Sequence, residues 1–350
     1  PRHAGARQVD AGSCDLPLVR SDVDHRRSQE KSKKCLNPMA KAKKVSGIDC
    51  QAPALAGIRL VLQQRLDEMC HLRVSALKWK DSEGVHSMRV ASRRLRSAAS
   101  DFLPFINKRT FNSTLKQIKS LADGLGEVRD LDVAIMALEK LTSEIPSSYS
   151  PTLNNLIDAQ KDKRKEARKE LEEALDKRRL EQLEVEFAPT LSLATTNVSH
   201  AAVEQSYINV ARTVIRERLK ELETLSSSLY RPAHVEPLHE MRIAAKGLRY
   251  AIELFSDCWD SSLQNFAKET SHLQTALGKL HDCDNWVESF EKEIYQSRKQ
   301  KERSESETYV WLFTHFSEQR SKHFQEAFSL WKQWEADTMS SRLLEALKSD

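Results

Sequence analysis

Glycine and proline are scarce in this chain, with 9 and 10 copies in 350 residues. So few breakers argue against a turn-rich β architecture and lead us to expect long, uninterrupted helices. No run of about 18 apolar residues occurs, so no helical membrane span is expected, and no secretory signal is visible. The six cysteines (Cys14, Cys35, Cys50, Cys70, Cys258 and Cys283) contain no CxxC pair and no zinc-like spacing. Unpaired thiols in a reducing, intracellular compartment are the simplest reading. A strong charge of one sign is also lacking: 55 Lys and Arg against 51 Asp and Glu leave a formal +4. The total therefore says little about an anionic partner, and the placement of the cations has to carry that question. Hydrophobic residues at 39% and charged residues at 30% suit a soluble helical protein.

What is present is a pattern used twice. His86-Ser87-Met88-Arg89-Val90-Ala91-Ser92-Arg93-Arg94-Leu95-Arg96 returns as His239-Glu240-Met241-Arg242-Ile243-Ala244-Ala245-Lys246-Gly247-Leu248-Arg249. Each copy places a cation three, seven and ten residues after a histidine, which is one face of an α-helix. On a wheel of about 100° per residue, Met88, Ala91, Leu95, Ala98 and Phe102 fall on the opposite face. So do Met241, Ala244, Leu248 and Phe255 in the second copy. One face packs a core and the other displays charge. Neighbouring like charges cost roughly 0.2–0.5 kcal/mol per pair, so folding alone does not favour such a row. The plainer reading is that Asp130, Asp132, Asp282 and Asp284 neutralise it. Histidine at the head of both rows argues against that, because histidine is a poor partner for a permanent ion pair. Arginine instead offers a planar fork that grips phosphate oxygens.

A second element repeats as well. Leu125-Gly126-Glu127-Val128-Arg129-Asp130-Leu131-Asp132 matches Leu277-Gly278-Lys279-Leu280-His281-Asp282-Cys283-Asp284. The two motif pairs are offset by 153 and 152 positions, a duplicated unit of at least three helices. Lys116 and Lys268 match at one offset, Arg65 and Arg218 at the other. Gly126 and Gly278 sit inside helical patterns, where glycine usually admits another backbone. The acidic pairs are expected to orient the arginines, and two carboxylates without clustered histidines argue poorly for a metal.

Along the chain, residues 1–54 read as a disordered basic tail, with Met39-Ala40-Lys41 as a candidate natural start and residues 1–38 as an extension. Helices are expected over about 55–78, 85–105, 112–141 and 151–183. The run Lys161–Glu166 reads as a solvated face with i,i+4 ion pairs. Phe187 to His200 reads as a connector. Helices then recur over about 201–229, 239–258, 262–297 and 305–347. The domains expected are 55–186 and 187–350, each a helical bundle.

These residues resemble the CHAD family, the conserved histidine α-helical domain. The first half shows V-H-x-x-R-V-x-x-R-R-L-R at Val85–Arg96 and L-G-x-x-R-D-x-D-V at Leu125–Val133. The second shows L-H-x-x-R-I-x-x-K-x-L-R-Y at Leu238–Tyr250. The resemblance covers roughly Leu55 to Leu347. It implies an all-α fold of two four-helix bundles from an internal duplication, related by a pseudo-two-fold, with a basic groove or pore between them. It also implies non-catalytic binding of inorganic polyphosphate, with no cofactor and no metal. Carried onto this chain, the binding residues are His86, Arg89, Arg93, Arg96 and Arg129 with His239, Arg242, Lys246, Arg249 and His281; the matched Lys116 and Lys268 join them as candidates. His281 departs from the pattern, standing where the first half has Arg129, so the second half is expected to bind more weakly or with more pH dependence. The alternatives are a nucleic-acid-binding helical protein, a metal-dependent phosphate-processing enzyme with His86 as nucleophile or acid, and a scaffold for an acidic protein. Cytoplasm, nucleus and a polyphosphate-rich compartment are not distinguished.

Overall fold

A computed structural model describes residues 45–348 apart from 81, 197, 199–203, 261 and 301–302. The tail read over 1–54 lies mostly outside the described residues, as do Cys14 and Cys35. The chain is all-α. Its helices are α1 (Ala54–His71), the short α2 (Arg73–Ala76), α3 (Glu83–Phe102), α4 (Lys108–Leu141), α5 (Ser150–Ala174), α6 (Lys177–Thr196), α7 (Tyr207–Leu225), α8 (Val235–Phe255), α9 (Gln264–Gln300), α10 (Arg303–Ala336) and α11 (Met339–Ala346).

Local chemistry explains where these elements begin. Asn107 accepts a hydrogen bond from the Thr110 backbone N–H at 3.2 Å and caps α4. Pro151 sits in the first turn of α5, where its missing N–H costs nothing. The single helix expected over 151–183 is in fact two. Asp176 accepts from the backbone N–H groups of Arg178 and Arg179, which starts a new helix at Lys177. That helix runs on to Thr196 with Phe187, Leu191 and Ala194 buried. The segment read as a connector is therefore packed helix from Phe187 to Thr196, and the boundary at 186/187 falls inside α6. Apolar spacing outweighed the Ser/Thr-rich composition there.

The packing order recurs along the chain: α1 against α3, α3 against α4, α4 against α5, then α7 against α8, α8 against α9, α9 against α10. The two series meet at several places, two of which join the ends of matched helices. At the first, the starts of α1 and α7 are tied by backbone hydrogen bonds from Ala54 N–H to the Gln205 carbonyl (2.8 Å) and from Tyr207 N–H to the Ala52 carbonyl (3.0 Å). Gly57 is required there, since a Cβ would lie 2.4 Å from the Tyr207 ring. At the second, Phe102 at the end of α3 meets Phe255 at the end of α8 edge-on, with centroids 5.8 Å apart. These residues are matched at the 153 offset, and each buried ring contributes about 1.5–3 kcal/mol. One large core runs through both halves. A smaller one forms where the α4–α5 hairpin (Leu138, Leu141, Leu153) meets the α9–α10 hairpin (Phe290, Tyr309, Leu312, Phe316). The polar motif that recurs in the sequence falls between the two cores on α4 and α9.

The expectation of unpaired thiols is corrected. Cys50, ahead of α1, is disulfide-bonded to Cys258 after α8, 208 positions away. Cys70 and Cys283 are free and buried, and burial pushes their thiols up to about 12 and about 11. Closing so long a loop restricts the unfolded chain by about 5 kcal/mol in the chain-entropy model. Reductant, or Cys50→Ser, should therefore lower unfolding stability by roughly 3–5 kcal/mol. Identical denaturant midpoints with and without reductant would reject the link.

Candidate functional site

The cation rows stand where α3 and α8 pack against each other. The start of α3 is set by Gly84, at which a Cβ would lie 2.0 Å from the Ser75 carbonyl oxygen. From there the wheel behaves as expected. Met88, Ala91, Leu95, Ala98 and Phe102 are buried, as are Met241, Ala244, Leu248 and Phe255. Arg89, Arg93, Arg96, Arg242 and Lys246 lie on the other side, half-buried.

The two rows converge. Arg93 feels the field of Arg89 and Arg249; Arg242 feels Arg93 and Arg89; Lys246 feels Arg93, Arg242, Arg96 and Arg89. Burial and then these four neighbouring cations push the Lys246 ammonium down to about 7. Burial is also the first cause holding Arg93 and Arg242 below the ordinary guanidinium range. Asp282 is open to solvent, yet desolvation raises its carboxyl. With Arg93, Arg242 and Lys246 half-buried close by, this partly enclosed surface where α3 and α8 meet is a recess that water reaches.

Neutralisation of the rows is partial. Arg89 donates to Asp130 at 2.9 Å and Arg96 to Asp123 at 3.2 Å. Arg93, Arg242 and Lys246 have no carboxylate within 4.0 Å among the described residues. The Nε of Arg242 and the Nδ1 of His86 are buried without a hydrogen-bond partner there. Burial and then Arg129 lower the pKa of His86, and Arg129 donates to the Ser82 hydroxyl at 3.3 Å. In the second half the Nδ1 atoms of His239 and His281 are 3.0 Å apart. Burial and then Arg242 push His281 down to about 4 and His239 in the same direction.

Three candidates stand apart. Arg249 is buried, 4% exposed, ion-paired with Glu253 at 3.2 Å and stacked over the Tyr250 ring. It lies beneath the cluster and is not displayed to a ligand, because α8 turns that position into the core. Lys116 and Lys268 are exposed. Steps of seven and fourteen residues align Lys116 with Asp123 and Asp130, about 10 and 20 Å away along α4. Lys268 aligns with Asp282 on α9 in the same way.

The acidic pairs divide their work. The first member of each, Asp130 or Asp282, stands beside the cations. The second is buried and ties the next helix: Asp132 accepts from Arg164 (3.1 Å) and lies 3.7 Å from Arg168, both on α5, and Asp284 accepts from Arg320 on α10. Arg164 lies within the run read as a solvated face, so that reading is corrected for it. Arg168 and Arg320 are separated by the same 152 positions as the glycine motif, the signal that would have exposed them.

Gly126 and Gly278 do not admit a backbone. A Cβ at Gly126 would sit 3.8 Å from Arg89 Nε, and one at Gly278 would meet nothing within 4 Å. Gly278→Ala should therefore stabilise the fold by about 1 kcal/mol through helix propensity. A destabilised variant in thermal unfolding would restore the close-approach reading.

A helical scaffold in which two equivalent helices bring partly compensated cations into one recess defines an α-helical domain with an anion-attracting centre. Residues 60–291 match the family model of the CHAD domain, and the chain belongs to that family. The crystal structure of the CHAD domain from the plant Ricinus communis is similar, with a TM-score of 0.62 and 21% identity over 83% of this chain and 95% of that one. PptA from Streptomyces chartreusis gives a TM-score of 0.59 at 14% identity, covering 80% of this chain and 100% of its own. At these identities the likeness is one of fold. No curated protein matches the sequence. No helix of the described residues is long and apolar enough to cross a membrane.

Proposed function

We propose that this chain binds inorganic polyphosphate, without cleaving it, along the cationic recess between α3 and α8. One observation carries the reading: Arg93, Arg242 and Lys246 face one another without carboxylate partners among the described residues, at a cost to the fold. A flexible strand with a negative charge on every internal phosphate and no bases supplies the missing counter-charge. His86, Arg89, Arg96, Arg129, His239 and His281 extend the contact on either side.

The alternatives find less support. Single-strand nucleic-acid binders stack bases on aromatic rings interleaved with cations, whereas Phe102, Tyr250 and Phe255 are buried. A metal-dependent reaction needs free carboxylates, and of the four motif acids Asp130, Asp132 and Asp284 are engaged by arginines, which leaves Asp282 among the described residues.

The test is a binding isotherm for long-chain polyphosphate against RNA at equal phosphate concentration over a salt series. Four phosphate contacts, treated as on a single strand, give a log–log salt slope of about −3. The affinity also carries a pH signature. Free Lys246 loses its proton as pH rises through about 7, and a bound polyanion retains it. Binding at pH 8 should therefore take up a proton, and affinity should fall with rising pH by up to about tenfold per unit. Calorimetry in two buffers of different ionisation enthalpy reads that proton. RNA outcompeting polyphosphate, or a flat salt series, would sink the assignment.

A further inference from the structure

The matched positions Arg129 and His281 are occupied differently, and the structure shows what the histidine does. His281 Nε2 lies 3.3 Å from Asn285 Nδ2, a group that only donates. With the amide nitrogen of Asn285 turned to Nε2, the consistent assignment has His281 protonated on Nδ1 and donating to Nδ1 of His239, 3.0 Å away; with the amide turned over, the assignment reverses and the pair still shares one hydrogen. The two rings form a neutral, hydrogen-bonded pair with centroids 4.1 Å apart. Only one hydrogen fits between the two nitrogens. A proton added to His239 at Nδ1 would place two N–H groups head-on, and one added to His281 at Nε2 would face the Asn285 amide. Either addition opens the chain of three residues.

The surroundings decide what such a pair can bind. From α8 it is faced by Glu236, Glu240, Arg242 and Lys246. From α9 comes Asp282, and from α10 His323 beside Asp282. Arg89 on α3 and Asp130 on α4 reach it through Arg242. Close cations repel a metal ion from two neutral imidazoles. They equally repel a proton, until an anion arrives to offset them.

Building on the polyphosphate reading, we infer that the His239–His281 pair is a proton-loaded phosphate grip: on ligand binding it takes up protons, opens, and donates N–H groups from both rings to phosphate oxygens. In the first half the matched place is taken by Arg129, whose guanidinium only donates. One end of the recess is then a constant anchor, and the other engages as pH falls. Free His281 is neutral down to about 4, so the proton is acquired with the ligand. The sign follows: a group whose pKa rises on binding strengthens binding as pH falls through the bound-state value.

The experiment compares wild type with His281→Asn, which keeps a neutral polar side chain but cannot take the proton. Affinity for long-chain polyphosphate is measured at pH 5.5 and 8.0. The wild-type-to-variant ratio cancels the titration of Lys246 and of the ligand's end groups. We expect a ratio of at least about tenfold at pH 5.5, near one at pH 8.0. His239→Asn should behave alike, which covers a folding failure at either position, and His281→Arg should bind at least as tightly as wild type at both pH values. A ratio equal at the two pH values overturns the grip while leaving polyphosphate binding in place. Wild type failing to bind at both pH values overturns the functional reading, and this inference with it.

Discussion

Arg93→Glu combined with Arg242→Glu should abolish polyphosphate binding while leaving the helices folded. These two side chains come from different halves, feel each other's field, and have no carboxylate within ion-pair range among the described residues. A hydrogen bond to a charged group is worth about 1.5–3 kcal/mol. Losing two costs about 3–6 kcal/mol, or roughly 100- to 10,000-fold in affinity. The fold should not suffer, because neither residue packs the core and the reversal removes like-charge repulsion around Lys246. Thermal unfolding should show a midpoint unchanged or higher. Binding within threefold of wild type, with the melt intact, would mean the recess is not the site.

Asp284→Ala should instead damage the fold, by about 3–5 kcal/mol, the usual cost of stranding one member of a buried ion pair. Asp284 is buried and accepts from Arg320, which also donates to the Pro232 carbonyl at 2.7 Å ahead of α8. Removing the carboxyl leaves a half-buried guanidinium between α9 and α10. Asp132→Ala should act likewise through Arg164 and Arg168. The control is Asp284→Ala with Arg320→Met, which removes both charges and should recover most of the loss in chemical denaturation. If Asp284→Ala alone is as stable as wild type, the second carboxylates are not structural ties. If it unfolds the protein less than it weakens binding, their place is in the site.

The contrast between these variants separates acids that look equivalent in the sequence. Asp130 and Asp132 are two positions apart in the same motif, yet one stands at the recess beside Arg89 and the other is sealed against α5. A two-residue step on a helix turns a side chain through about 200°, so the pair must face different neighbours. Which face meets solvent depends on helices distant in the chain.

Much of the architecture was legible beforehand, for a local reason. Helical period, breaker scarcity and a repeat at 152–153 positions are properties of neighbouring residues, and they sufficed for the all-α class and for the buried faces of α3 and α8. They also put Arg89, Arg93, Arg242 and Lys246 on the faces turned away from the core. Local reading failed in two ways: it missed contacts between distant segments, and it missed short side-chain ties such as Arg249 with Glu253 and Asp176 with the next helix. Arg249 continues the spacing of its row but is drawn beneath the cluster by Glu253 and Tyr250. Gly278 faces open space. Cys50 finds a partner 208 positions away, and Asp176 divides a charged helix by capping the next one. The sequence by itself determined that two histidine-headed cation ridges exist. Only the tertiary structure decided that they meet, which cations remain unneutralised, and that His281 rests against His239, because charge compensation depends on distances between helices that no spacing along the chain encodes.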